Sequence, residues 1–372
     1  MNQRTFIIVL AVIAALLIGW VVFNTTQAEA APVSIDDITT KWWGSGHADG
    51  TSEAFVHWNE DEPAVVPERC AKCHSASGFI DFVGADGSAA GSVEMPGKIN
   101  DVLACITCHS DPAHALDNVT MQSGNVIEGT GSNSVCMNCH GGMGTASAVD
   151  KKVGDLGLDE QVPEAALISN HYFAAAAVHE GADAADGYQY EGKTYMGVFE
   201  HAEGVSTCTE CHDPHSTHIN DIPNSDANLC STCHSNVAGW ADYKKVSVSK
   251  VDFDGNGTVD PIYDEIEGVK TKLLQALWDY SKETTGSAFV FNSSVYPYTF
   301  IDTNEDGQAS DEESAFPNSF KAWTPRMLKA AYNFSFTTRD PGAYVHNAKY
   351  VLQLMYDSIE DLGGSTAGMV RP

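Results

Sequence analysis

A mainly α chain with extensive loops, packed around material that is not all protein, is the fold predicted here, and three observations carry it. Paired cysteines recur from residue 70 to residue 233, in segments rich in Gly, Ser, Asp and Pro such as 84–91 and 124–134, which read as loops joining short helices. Beyond residue 235 cysteine disappears and apolar residues recur at helical spacing. Two acidic stretches in that second part have the ligand order of calcium loops. Apolar residues make up 43% of the 372 positions, enough for a packed interior, and the length lies beyond where one hydrophobic core usually stops growing. The 50 acidic and 20 basic residues give a formal charge of −30, which argues against nucleic acid as a partner because its phosphates would be repelled.

Taken in order, the chain opens with Arg4 and an unbroken apolar run over residues 6–23, the pattern of an export signal. Ala28-Glu29-Ala30 before Ala31-Pro32 offers small residues where a signal peptidase cuts, so residues 1–30 are read as a signal peptide. The same run is long enough to span a bilayer if it is kept as an anchor. The mature chain is expected in the periplasm or outside the cell.

Ten cysteines in an exported chain would ordinarily suggest disulfides. The spacing overrides that expectation. Cys70/Cys73, Cys105/Cys108, Cys136/Cys139, Cys208/Cys211 and Cys230/Cys233 are each followed at once by a histidine: His74, His109, His140, His212 and His234. No cysteine is left over, and a zinc site does not require histidine directly after every second cysteine. Cys-x-x-Cys-His is the attachment signature of c-type haem: two thiols about one helical turn apart add across the porphyrin vinyl groups, and the adjacent imidazole reaches the iron. Five haem c groups follow. The widest gap, between Cys136 and Cys208, sorts the motifs into three and two, and such dense attachment forces neighbouring porphyrins together.

On these motifs the sequence resembles the multihaem c-type cytochromes. Ser45-Gly46-His47-Ala48, the run CTECHDPH from Cys208 to His215, and Ala343-Tyr344-Val345-His346-Asn347 are also similar to segments of that family from anaerobic respiratory systems. The expectation is a pentahaem cytochrome region over 31–234 and a helical region with calcium loops over 235–372.

Nine histidines remain for the second axial position. That surplus favours bis-histidine iron and low potentials over methionine ligation. His47, His171, His201, His215 and His346 are the chosen five. His215 follows His212 by three residues, in a turn that aims it away from its own haem, and His201 lies just before Cys208. His171 opens HYFAAAAVHE, read as a helix in which Ala174 and Ala175 leave room for a flat ring. His179 would sit about 80° further round that helix and is set aside. His346 lies on the flank of the last apolar stripe. His57 and His114 are reserves, and His218 is read as not a ligand.

In the second region Ile262, Ile266, Val269, Leu273, Ala276 and Tyr280 mark one amphipathic helix, and Val345, Ala348, Leu352, Met355, Ile359 and Leu362 a second. Asp340-Pro341 reads as the start of the latter, Asp as N-cap and Pro at the first helical position. Between them Asp302, Asn304, Asp306, Gln308 (through its carbonyl), Ser310 and Glu313 occupy the ligand places of a twelve-residue calcium loop, with Gly307 at the turn. Asp252, Asp254, Asn256, Thr258 and Asp260 form a second match, with Tyr263 at the twelfth place and Asp264 and Glu265 just after it. One or two calcium ions are expected, pinning this region.

The function expected is electron transfer: an exported relay in anaerobic or extracellular respiration, meeting redox partners with basic patches. The rival is an enzyme resembling the pentahaem nitrite reductases, with one open iron. Those usually carry lysine in place of the motif histidine at the catalytic haem, whereas all five motifs here end in histidine. CHDPH-type segments also occur in conducting filaments, so a homo-oligomer or filament stays open.

Overall fold

The computed structural model describes residues 34–202, 205–219, 233–234, 240–246 and 250–372; the leader at 1–30, its apolar run 6–23 and Cys230 lie outside them. Helices and loops dominate, with two short antiparallel hairpins, Asn118–Thr120 with Val126–Glu128 and Phe289–Phe291 with Thr299–Ile301. Among the described residues no helix is long and apolar enough to cross a membrane.

Three helices build the main core. Ile262–Thr285 forms where the first apolar stripe predicts it; Ile262, Ile266, Val269, Leu273, Ala276 and Leu277 are buried, and Gly286 ends it in the left-handed conformation at φ 71°. It packs on Ala348–Asp361 and on Pro325–Arg339. The last of these, capped by Thr324, whose hydroxyl accepts from the Met327 N–H at 3.3 Å, is buried nearly all round and so shows no stripe. At its centre Asn333 donates to the Tyr188 carbonyl (2.9 Å) and to Ser358 Oγ (3.0 Å) and accepts from the Tyr188 N–H (2.8 Å). These bonds join the two halves of the sequence, and one core cluster runs from Val119 through Tyr188 to Met369. Packing therefore does not divide at residue 235. Phe79, Val83 and Ala113 form a separate small cluster among the first two cysteine motifs.

The second stripe departs from its expected form. It is broken into Ala343–His346 and Ala348–Asp361, and the cap of the longer helix is Asn347, whose side chain accepts from the Tyr350 N–H. Asp340 instead closes a turn by accepting from the Gly342 N–H at 3.0 Å. HYFAAAAVHE is likewise shorter as a helix than expected: Ala175–Glu180 is helical, while His171 precedes it and Phe173 has φ 57°. The helical-wheel reason for preferring His171 to His179 therefore fails, and another cause must place His171.

Candidate haem-iron centres and calcium loops

Four cysteine motifs lie on helical turns, Glu68–His74, Cys105–His109, Asn133–His140 and Cys208–Cys211, so the two sulfurs of each share a face. The last is short and is held by a capping box between Thr207 and Glu210. No disulfide joins the cysteines of the described motifs. The first and third motifs meet: Cys73 Sγ donates to the Asn138 carbonyl at 3.8 Å and Cys139 Sγ to the Lys72 carbonyl at 3.7 Å. Asn133, at the start of the third motif's helix, accepts from the Cys208 N–H at 3.0 Å. The gap in sequence between the third and fourth motifs is closed in space, and the third motif lies between the first and the fourth.

Each motif histidine has one of the five chosen histidines opposite it. Ring centroids stand 6.2 Å apart for His140 and His47, 5.7 Å for His74 and His171, and 6.2 Å for His109 and His215. The separations are 6.4 Å for His212 and His346 and 6.1 Å for His234 and His201. Two imidazole–metal bonds of about 2 Å in line would put facing centroids roughly 6 Å apart, as these are, and would part the two Nε2 atoms by about 4 Å, a little more than the 3.4 Å between those of His74 and His171. Tautomers agree with that fit where the second nitrogen has a partner. Nδ1 of His74 meets the Ala54 carbonyl at 2.9 Å, that of His140 the Phe173 carbonyl at 3.1 Å, and that of His212 the Thr217 carbonyl at 2.9 Å. Nδ1 of His346 meets the Asp340 carboxylate at 2.7 Å. With Nδ1 donating, Nε2 is left as the electron-pair donor a metal requires.

Local chemistry explains how the opposing histidines are placed. Asp213 accepts from the N–H groups of His215 and Ser216 (3.0 and 2.9 Å), and this turn swings His215 off its own motif toward His109. Lys41 binds Asp213 at 2.5 Å and Trp42 donates to the Leu103 carbonyl at 2.9 Å, which docks the N-terminal helix Ile35–Trp43 and so delivers His47. The His171 N–H donates to the Met143 carbonyl (2.8 Å) and Asn170 Oδ1 (2.7 Å), so the chain after the third motif, rather than a helix, fixes His171. Of the reserves, His57 turns to Glu53 (2.8 Å), and His114 faces Nδ1 of His109 at 3.4 Å instead of the nitrogen an iron would use. His179 meets Glu180 at 2.9 Å.

Burial, with His140 adding to it, holds the His47 imidazole down at about 4, and burial likewise lowers His74, His140, His171, His201 and His212. Neutral imidazole is the form that binds a metal. For His346 burial acts downward, but the Asp340 carboxylate overcomes it and raises the group. Asp340 was missed by sequence reasoning as a partner of His346, since it was read as a helix cap.

The two acidic loops have matching cores. Asp302 Oδ2 accepts from the Gly307 N–H at 2.8 Å, and Asp252 Oδ2 from the Gly257 N–H at 2.8 Å, five residues on in each case, where φ values of 76° and 94° require glycine. Glu313 accepts from the N–H groups of Thr303, Asn304 and Ser310. Burial acts to raise this carboxyl, but the bonds from Ser310 and Thr303 hold it down at about 2. Glu265, 1% exposed, takes the same place in the other loop, accepting from the N–H groups of Phe253, Asp254 and Asp260. Asp252, Asp254 and Glu265 form the one three-acid cluster of metal-binding spacing among the described residues. The carboxylate absent at the twelfth place is supplied two residues later, by the first turn of Ile262–Thr285.

Residues 201–239 match the family model for the doubled CXXCH motif. C-type polyheme cytochrome OmcB of Geobacter sulfurreducens is 24% identical over 381 residues, covering 84% of this chain and 46% of the relative. C-type polyheme cytochrome OmcC of the same organism is 24% identical over 400 residues, covering 90% and 47%. The chain thus spans about half the length of the curated relatives it matches. Among solved structures, the outer cell wall cytochrome OcwA aligns with a TM-score of 0.44 at 17% identity, over 87% of this chain and 50% of that one.

Proposed function

Because the chain is a multihaem c-type cytochrome, we propose that it is an exported electron-transfer protein carrying five haems, each closed by two histidines. Haem iron, when bound, supplies one-electron transfer. The observation that carries the reading is the set of five facing imidazole pairs. They would hold iron from both sides at every motif, including the fifth, of which Cys233 and His234 are described. Such pairing takes the sixth position from substrate, which favours conduction over the nitrite-reductase alternative.

Relay between centres is supported by the contacts of Cys73 and Cys139 with each other's motif and of Cys208 with Asn133, which bring the tether of one porphyrin beside the tether of the next. The third motif would then be the junction through which the first and fourth communicate. Calcium at Asp302, Asn304, Asp306, Gln308, Ser310 and Glu313, and at Asp252, Asp254, Asn256, Thr258, Asp260 and Glu265, would fasten the second half of the chain, which brings His346 to His212. The charge of −30 suits donors and acceptors with basic patches and makes their encounter sensitive to salt.

The test is a stoichiometry. Dithionite should load five electrons per chain, one for each motif, all recoverable by ferricyanide. Nitrite and hydroxylamine should not be consumed. A smaller electron count, or steady turnover of either compound, contradicts the proposal.

A further inference from the structure

We propose that Arg339, together with Asn170, clamps a carboxylate, and that this carboxylate is a propionate of the porphyrin attached at Cys70 and Cys73. The inference rests on the haem reading above. Arg339 ends the most buried helix of the core and is itself 5% exposed, yet it forms no ion pair among the described residues. Its guanidinium lies 3.8 Å from the ring centroid of Tyr172 and 4.6 Å from that of Tyr298, and Nε donates to Ser169 Oγ at 3.4 Å. A buried cation without an anionic partner is unfavourable, so the fold is arranged for a counter-ion to arrive.

Asn170 supplies the second, independent sign. It is 2% exposed; Oδ1 is used by the N–H groups of Met143 (3.1 Å) and His171 (2.7 Å), whereas Nδ2 is buried without a hydrogen-bond partner. Arg339 and Asn170 line one cavity of about 310 Å³, whose wall also includes His171 and the two tyrosines. A planar guanidinium fork and an amide N–H are the donor set that two carboxylate oxygens need, and the stacked tyrosines keep the fork from turning away. Among the described residues no acidic side chain lines the cavity. Since none of the described residues offers the carboxylate, we assign it to a porphyrin propionate rather than to a free small anion. His171 faces His74, the histidine of the first motif, which puts that motif's porphyrin beside the cavity and favours the propionate.

An uncompensated propionate stabilises ferric iron, and a guanidinium against it offsets that effect. The test is a spectroelectrochemical titration of the haem-loaded chain, of Arg339→Gln and of Arg339→Lys, each with and without added acetate. Arg339→Gln should move one haem to lower potential and leave the others in place, and Arg339→Lys should restore most of the shift. Asn170→Asp keeps the acceptor for Met143 and His171 but sets a negative charge in the cavity, so it should lower the same potential even if Arg339→Gln does not fold. Potentials unchanged in Arg339→Gln and Asn170→Asp, with every haem present and low-spin, overturn the clamp while leaving the haem reading intact. A shift seen only when acetate is added overturns the propionate as its source. A parent chain lacking haem at Cys70 and Cys73 overturns the reading beneath it.

Discussion

Glu265→Gln should abolish calcium stabilisation of the loop at 252–265 while costing much less when calcium is absent. In the folded chain Glu265 Oε2 accepts from the N–H groups of Phe253 (2.8 Å) and Asp254 (3.0 Å), and Oε1 from the N–H of Asp260 (2.9 Å). Glutamine retains one oxygen for the first pair but turns an amide NH₂ toward Asp260. The calcium-free loss is that of one hydrogen bond to a charged group, about 1.5–3 kcal/mol. At calcium a hundredfold above its dissociation constant, a bound ion adds about 2.7 kcal/mol to the parent. The variant, without its bidentate ligand, forfeits this as well. The deficit should therefore be roughly 4–6 kcal/mol in calcium and about 1.5–3 kcal/mol in chelator. Guanidinium unfolding followed by circular dichroism, run in both conditions, reads the difference. An equal deficit with and without chelator would refute the assignment of Glu265 as a calcium ligand and reduce it to a hydrogen-bond acceptor.

Three further outcomes follow from named contacts. His171→Ala should convert the haem at the first motif, and that haem alone, to high-spin ferric iron; a variant that stays wholly low-spin would show that His171 does not face that iron. Asp186 is raised by burial to about 7, against about 3.9 in an unfolded chain, so the folded state binds the extra proton between those values. Stability is then highest below the unfolded value and is lost as pH rises through the folded one, by on the order of 4 kcal/mol. Asp186→Asn should remove that slope in denaturant titrations across pH 4–8, and a parallel slope in both proteins would count against it. Leu273→Ala, at a fully buried position of Ile262–Thr285, the helix that packs on both other core helices, should cost about 2–5 kcal/mol in the same assay; a loss below 1 kcal/mol would mean that the site collapses around the gap.

The legible parts of this molecule are those where chemistry or periodicity is local. Each cysteine motif carries its spacing within five residues, and the stripe from Ile262 to Tyr280 reads directly as one face of the helix that forms. Pro325–Arg339 was invisible for the opposite reason: burial on nearly every side leaves no polar face to set a period. Asn347 broke the last helix because its side chain caps the following turn, a preference that the apolar stripe running through it concealed. His171 stands opposite a motif histidine, but it is placed by Met143 and Asn170, contacts across the chain that a helical wheel cannot express. Glu265 was displaced from the expected register because the loop runs two residues longer before its helix supplies the carboxylate. Arg339 and Asp340 left no local signal, since what matters for each is a partner brought near by folding.

The most direct measurement is electron paramagnetic resonance of the fully oxidised, haem-loaded protein, integrated against its iron content. Histidine on both faces of every iron predicts low-spin ferric signals alone, accounting for all the iron. A high-spin component amounting to one haem or more per chain would contradict the pairing on which the whole account stands.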